Sequence, residues 1–104
     1  MLEIRILDKK DAICVRAEGH TGYAEEGKDI VCAGVSALLQ TLLMWLAEEY
    51  GDRLEVEKRK GFLQVTFPAE EKSRFVFSVF LKGLREIERI YSKHLDIKEV
   101  KNDV

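Results

Sequence analysis

Two residues of this chain are suited by type and spacing to do covalent chemistry. His20 stands in the run Gly19-His20-Thr21-Gly22-Tyr23, and Cys32 stands in Gly27-Lys28-Asp29-Ile30-Val31-Cys32-Ala33-Gly34-Val35-Ser36. A thiol becomes a useful nucleophile when it loses its proton, and a helix N-terminus or a neighbouring imidazole favours that loss. If Asp29 caps a helix that begins at Ile30, Cys32 falls in the first turn. Free N–H groups of that turn are then available to a developing oxyanion. His20 is suited to take the thiol proton and later to protonate a leaving amine.

Each of these residues also has a plainer reading. A cysteine on an apolar helix is usually packing, and a histidine at a strand end is usually just exposed. Ser36, one turn beyond Cys32, most often bonds back to the carbonyl of residue 32, and steering of the thiol is its lesser role. Asp29 is explained by capping alone, which is preferred to orienting His20 as the third member of a triad. Tyr23 is either an aromatic on the substrate side or an anchor for its loop. Gly19, Gly22 and Gly27 form the substrate loop on the catalytic reading and merely supply tight turns on the plain one.

Two other chemistries fit poorly. Gly22 to Lys28 matches the spacing of a phosphate-binding P-loop, but Asp29 takes the place of the magnesium-binding hydroxyl. Cys14, His20, Cys32 and His94 lack metal-ligand spacing. No cofactor and no metal are expected.

The elements that must position the pair follow from periodicity. Leu2, Ile4 and Ile6 alternate with Glu3 and Arg5, Ile13, Val15 and Ala17 alternate with Cys14, Arg16 and Glu18, and Asp8 to Asp11 is a polar turn, so a hairpin opens the chain. Gly19 to Asp29 has no periodicity and reads as a loop. A helix runs from about Ile30 to Tyr50, broadly apolar, with Gly51 placed to end it in a left-handed cap. Leu54 and Val56 begin a third strand, a turn falls near Lys60-Gly61, and Leu63, Val65 and Phe67 alternate on a fourth that Pro68 stops. A second helix spans about Glu70 to Lys93, with Val76, Val79, Phe80, Leu84, Ile87 and Tyr91 on its inner stripe. Leu95 to Val100 fits a short last strand, and the last four residues form a polar tail. The order strand-strand-helix-strand-strand-helix implies an α+β two-layer sandwich, a mainly antiparallel sheet with both helices on one face.

Composition bounds the class. The 104 residues make one domain, residues 1–104, large enough for one core. Apolar residues are 46% and charged residues 35%, as in a globular chain, and the net charge of −2 gives no support to a nucleic-acid partner. Lys58-Arg59-Lys60 is the one compact basic cluster. Two cysteines do not make a disulfide framework, and no leader is expected, because Met1 to Leu7 alternates instead of running apolar. Ser36, Gln40 and Thr41 interrupt the longest apolar stretch, short of a membrane span. A cytoplasmic protein with reduced thiols is expected.

The run GHTGYAEEGKDIVCAGVSALLQT resembles the signature of the ribosomal-processing cysteine protease family. That pattern is a GHxGY loop followed by GxDIVCAxVS, and Gly19, His20, Gly22, Tyr23, Gly27, Asp29, Ile30, Val31, Cys32, Ala33, Val35 and Ser36 fill it. The resemblance implies a cysteine endopeptidase that trims the N-terminal extension of large-subunit ribosomal protein 27, an extended peptide. It implies that His20 and Cys32 are the catalytic pair, that the intervening loop orders around substrate, and that the chain forms a homodimer. Two rival readings remain at this point. One is a non-catalytic ribosome-associated module that clamps a peptide or RNA with the same loop. The other is a redox protein, for which Cys14 is the only resolving thiol.

Overall fold

The computed structural model describes residues 1–102. The strands are β1 (Leu2–Lys9), β2 (Ala12–Gly19), β3 (Glu55–Arg59), β4 (Phe62–Pro68) and β5 (Leu95–Asn102), and the helices are α1 (Ile30–Tyr50) and α2 (Glu71–Ile90). They build a five-stranded sheet in the order β3-β4-β2-β1-β5. β1 pairs antiparallel with β2, β2 with β4 and β3 with β4, while β5 runs parallel to β1. The expected α+β sandwich is therefore present, with a mixed sheet.

The connections explain the layering. α1 carries the chain from β2 over β4 to the edge strand β3, and α2 carries it from β4 over β2 and β1 to the opposite edge. These crossovers run in opposite directions between strands of opposite sense. Right-handed connections then place both helices on the same face.

The register puts Ile4 opposite Ala17, Ile6 opposite Val15, Val15 opposite Val65 and Ile13 opposite Phe67, so one sheet face is apolar throughout. That face packs with Val35, Leu39, Leu42 and Leu46 of α1 and Phe77 and Leu84 of α2 in one core. The Phe67 and Phe77 rings meet at 5.8 Å between β4 and α2. β3 is exposed along its whole length and carries Glu, Lys and Arg, charges that discourage edge-to-edge pairing.

Several expectations need correction. β5 is a full strand to Asn102, so it takes in part of the supposed polar tail; Asp103 and Val104 lie outside the described residues. α2 stops at Ile90, short of Lys93, because the chain must turn to place Leu95 beside Leu2. The Tyr91 carbonyl accepts from His94 N and Leu95 N, and the His94 carbonyl accepts from Leu2 N. Val79 points outward, 52% exposed. At about 100° per residue it lies across the helix from Phe77, which takes the inward position. Gly51 ends α1 at φ 48°, ψ −118°, outside the left-handed helical region, since the chain passes straight into a 3-10 turn. By length and composition residues 30–53 are apolar enough to cross a membrane, polar interruptions notwithstanding. In this fold the inner stripe of that helix is buried in the core.

Tyr50 carries one anomaly. Its ring is buried, with Trp45 edge-on at 6.2 Å, yet its hydroxyl has no hydrogen-bond partner. Burying an unsatisfied hydroxyl costs about 1–3 kcal/mol. Tyr50→Phe is therefore expected to leave the thermal midpoint unchanged or raise it, and calorimetry checks this.

Candidate active site

The site forms at the end of the sheet where β2 runs out. Gly19 ends β2 at φ 103°, and a Cβ there would stand 2.6 Å from the Met1 carbonyl oxygen, so only glycine fits. The chain then leaves the sheet as the stretch 20–29 and returns to α1. Asp29 caps the helix, its Oδ1 accepting from Cys32 N at 2.9 Å. Its Oδ2 accepts from the Thr21 hydroxyl at 2.5 Å, from Tyr23 N at 3.0 Å and from Ala24 N at 3.3 Å. One carboxylate thus caps α1 and folds the loop around itself.

Its acidity follows. Partial desolvation opposes ionisation, but the hydrogen bonds from Thr21, Cys32, Ala24 and Tyr23 prevail and hold the carboxyl near 2, below its ordinary 3.8. A depressed carboxyl stabilises the fold above its unfolded pKa and loses that contribution as pH falls through the folded one. Asp29→Asn is thus expected to lower the thermal midpoint at pH 7, and the gap to the wild type should close on acidification from about 4 towards 2. A gap of constant size across that range would show that the charge is not what matters.

Cys32 is exposed in the first turn of α1. The Ser36 hydroxyl lies 3.9 Å from its sulfur, so Ser36 meets the thiol itself. His20 is exposed at the loop's start, and it shares with Cys32 an open cleft of about 470 Å³. Thr21, Gly22, Gly27 and Asp29 line the same cleft, together with Glu26 and Lys60. A second, smaller hollow, also lined by Cys32 and His20, is walled by Gly19, Val35, Ser36, Leu39, Lys58 and Phe62. Among the described residues His20 has no hydrogen-bond or ion-pair partner, Asp29 and Cys32 included. The imidazole and the thiol line one cleft without a hydrogen bond between them, as is common before substrate binds.

The first-turn amides are partly committed. Cys32 N serves Asp29, and Ala33 N donates to the Asp29 carbonyl at 3.0 Å. The Ile30 and Val31 amides, at the first two helical positions, have no intrahelical acceptor.

Tyr23 does not line the cleft. Its ring packs edge-on against Tyr91 and His94, each at 5.4 Å, so it anchors the loop. Of the basic cluster, Arg59 is engaged by Glu57 at 2.6 Å and lies over Phe62, whereas Lys58 and Lys60 face the hollows. The register places Cys14 opposite Leu7 and Thr66 on the sheet face away from the helices, so it does not approach Cys32 for a redox pair. Among the described residues no cluster of three or more His, Cys, Asp or Glu side chains is arranged to hold a metal ion.

Sequence reasoning missed two contributors. Thr21 is 3% exposed and ties the loop to Asp29. Gly61, in the β3–β4 turn at φ 71°, supports the His20 ring: a Cβ there would lie 3.2 Å from Nε2. Its carbonyl accepts from Gly19 N at 2.9 Å. Its place in the turn expected near Lys60-Gly61 was the only signal.

Fold and cleft define a small α+β protein with an exposed thiol at a helix start and an imidazole across from it. The comparisons agree. The family model for cysteine protease Prp matches residues 1–96, and the chain belongs to that family of cysteine proteases. It is 31% identical over 86 residues to the ribosomal processing cysteine protease Prp of Mycoplasma genitalium, covering 80% of this chain and 84% of that protein. It is 26% identical over 102 residues to the protein of that name in Bacillus subtilis, covering 90% and 91%. The fold matches that of Staphylococcus aureus Prp crystallised with a covalently linked product peptide, at a TM-score of 0.84 and 21% identity over 96% of this chain and all of that one.

Proposed function

We propose that this chain removes the N-terminal extension of large-subunit ribosomal protein 27, with Cys32 as nucleophile and His20 as its acid and base. The observation that carries the proposal is the shared cleft, which holds an exposed thiol and an imidazole free of other partners. Membership of the Prp family, whose relatives are named for ribosomal processing, supports the substrate.

The chemistry follows from the placement. His20 takes the Cys32 proton, and the thiolate attacks the scissile carbonyl of an extended peptide lying in the cleft. Free N–H groups of the first turn of α1 stabilise the oxyanion of the tetrahedral intermediate. His20 returns the proton to the leaving amine as the C–N bond breaks, which leaves a thioester on Cys32. Water, deprotonated by His20, attacks the thioester, releases the peptide acid and restores the thiol. Ser36 supports the sulfur, while Gly22 and Gly27 allow the loop to close along the peptide. The enzyme works as a homodimer in the cytoplasm, where the nascent ribosomal protein is met.

The test is a synthetic peptide copied from the N-terminus of that ribosomal protein in the same organism. One cut at the mature start, read by mass spectrometry, is expected. An intact peptide after prolonged incubation with reduced enzyme would remove the proposed substrate.

A further inference from the structure

We infer that His94 is a positioning residue: through the Thr21 carbonyl and the Tyr23 ring it fixes the loop that carries His20, and so sets where the imidazole stands in the cleft it shares with Cys32. The inference rests on the catalytic reading of His20 and Cys32 given above.

His94 sits in the turn between α2 and β5, half-buried. Its own backbone is held on both sides, the N–H donating to the Tyr91 carbonyl at 2.8 Å and the carbonyl accepting from Leu2 N at 3.0 Å. The ring is therefore anchored in the frame of the sheet. From there Nδ1 lies 2.9 Å from the Thr21 carbonyl oxygen. A carbonyl oxygen can only accept, so Nδ1 carries the hydrogen, in the neutral and the protonated ring alike. Tyr23 adds a second hold, its ring meeting the His94 and Tyr91 rings edge-on at 5.4 Å.

The hydrogen bonds of Asp29 fold the loop onto the start of α1, but all lie within eight residues of it. The bond from His94 crosses 73 residues of sequence. Among the described residues it is the one side-chain hydrogen bond between residues 20–29 and an element other than α1. Thr21 is the next residue after His20, so a shift at its carbonyl moves the imidazole directly. Misplacing a catalytic group by about 1 Å can cost on the order of a hundredfold. A hold one residue from His20 thus bears on rate more than on affinity.

The test compares His94→Phe, which keeps a ring against Tyr23 but loses the donor, with His94→Asn, whose amide nitrogen can replace Nδ1. For His94→Phe we expect kcat on the extension peptide to fall about tenfold with KM nearly unchanged, and the Tyr23 and Ala24 amides to exchange faster with deuterium. His94→Asn should restore both. Exchange at Tyr23 and Ala24 that stays at the wild-type rate in His94→Phe overturns the inference. So does faster exchange with wild-type kcat, which would make the hold irrelevant to catalysis. If His94→Phe fails to fold, Tyr23→Ala, altered at a partly exposed side chain, tests the other half of the hold by the same two readouts. A wild-type protein without Cys32-dependent cleavage would defeat the catalytic reading, and the exchange measurement would still decide whether His94 holds the loop.

Discussion

Replacing Cys32 with alanine is expected to abolish peptide cleavage while leaving the fold intact. Where nucleophile and base act as a unit, loss of the nucleophile alone removes most of the catalytic acceleration, so a fall of at least about 10⁴-fold in kcat is expected. The fold should tolerate the change because Cys32 is exposed and contributes no core packing. Its backbone N–H, which Asp29 uses, is retained in alanine. Circular dichroism and the thermal midpoint should therefore match the wild type. Cys32→Ser is a sharper probe, since a hydroxyl in place of the thiol preserves size and the contact with Ser36 but is a far weaker nucleophile. Iodoacetamide should label Cys32 ahead of Cys14, which is half-buried on the opposite sheet face. Cleavage at the wild-type rate by Cys32→Ala would end the thiol mechanism.

The parts of the fold legible in the sequence are those whose signal is local. Ile4 and Ile6 on β1, and Ile13, Val15 and Ala17 on β2, alternate cleanly because one sheet face is core and the other faces water. The start of α1 is equally plain, since Asp29 both precedes the apolar run and has the chemistry of a cap. β5 is less legible because only Leu95 and Ile97 are buried, and the strand then runs on through exposed, largely charged residues. Its parallel pairing with β1 joins the two ends of the chain and leaves no mark in either segment. α2 misled for another reason. It has two apolar faces, one with Phe77 and Leu84 inside and one with Phe75 and Val79 outside, and periodicity alone does not choose between them.

The candidate site divides in the same way. His20, Cys32 and Asp29 were legible because their chemistry is visible in residue type and in distance from a helix start. Thr21, Gly61 and His94 were not, because each acts through a partner that the fold supplies. Gly61 shapes the site by lacking a side chain beside an imidazole far along the chain. His94 acts through a backbone carbonyl, which has no identity in a sequence.

His20→Ala is expected to have the next largest effect, and the reason lies in Asp29. The N-terminus of a helix carries only about half a positive charge. At α1 that end already faces a carboxylate, which is ionised at neutral pH and bonded to the Cys32 amide itself. A thiolate on Cys32 would be a second anion at the same helix end, so the helix alone gives it little support. The positive charge that favours the thiolate must come from elsewhere in the cleft, and an imidazole that has taken the thiol proton supplies it. Loss of a positioned acid–base group typically costs about 10²–10⁴-fold, and the upper part of that range is expected here. The same variant should slow iodoacetamide labelling of Cys32 at pH 7, and the deficit should shrink at high pH, where the thiol ionises unaided. Labelling as fast in His20→Ala as in the wild type at every pH would show that the imidazole does not assist ionisation. Gly61→Ala offers a milder version of the experiment: its Cβ, at 3.2 Å from Nε2, crowds the ring without removing it, with some backbone strain from the φ of 71°. A partial loss of cleavage with unchanged labelling at high pH would locate the defect in the placement of His20 and not in the thiol.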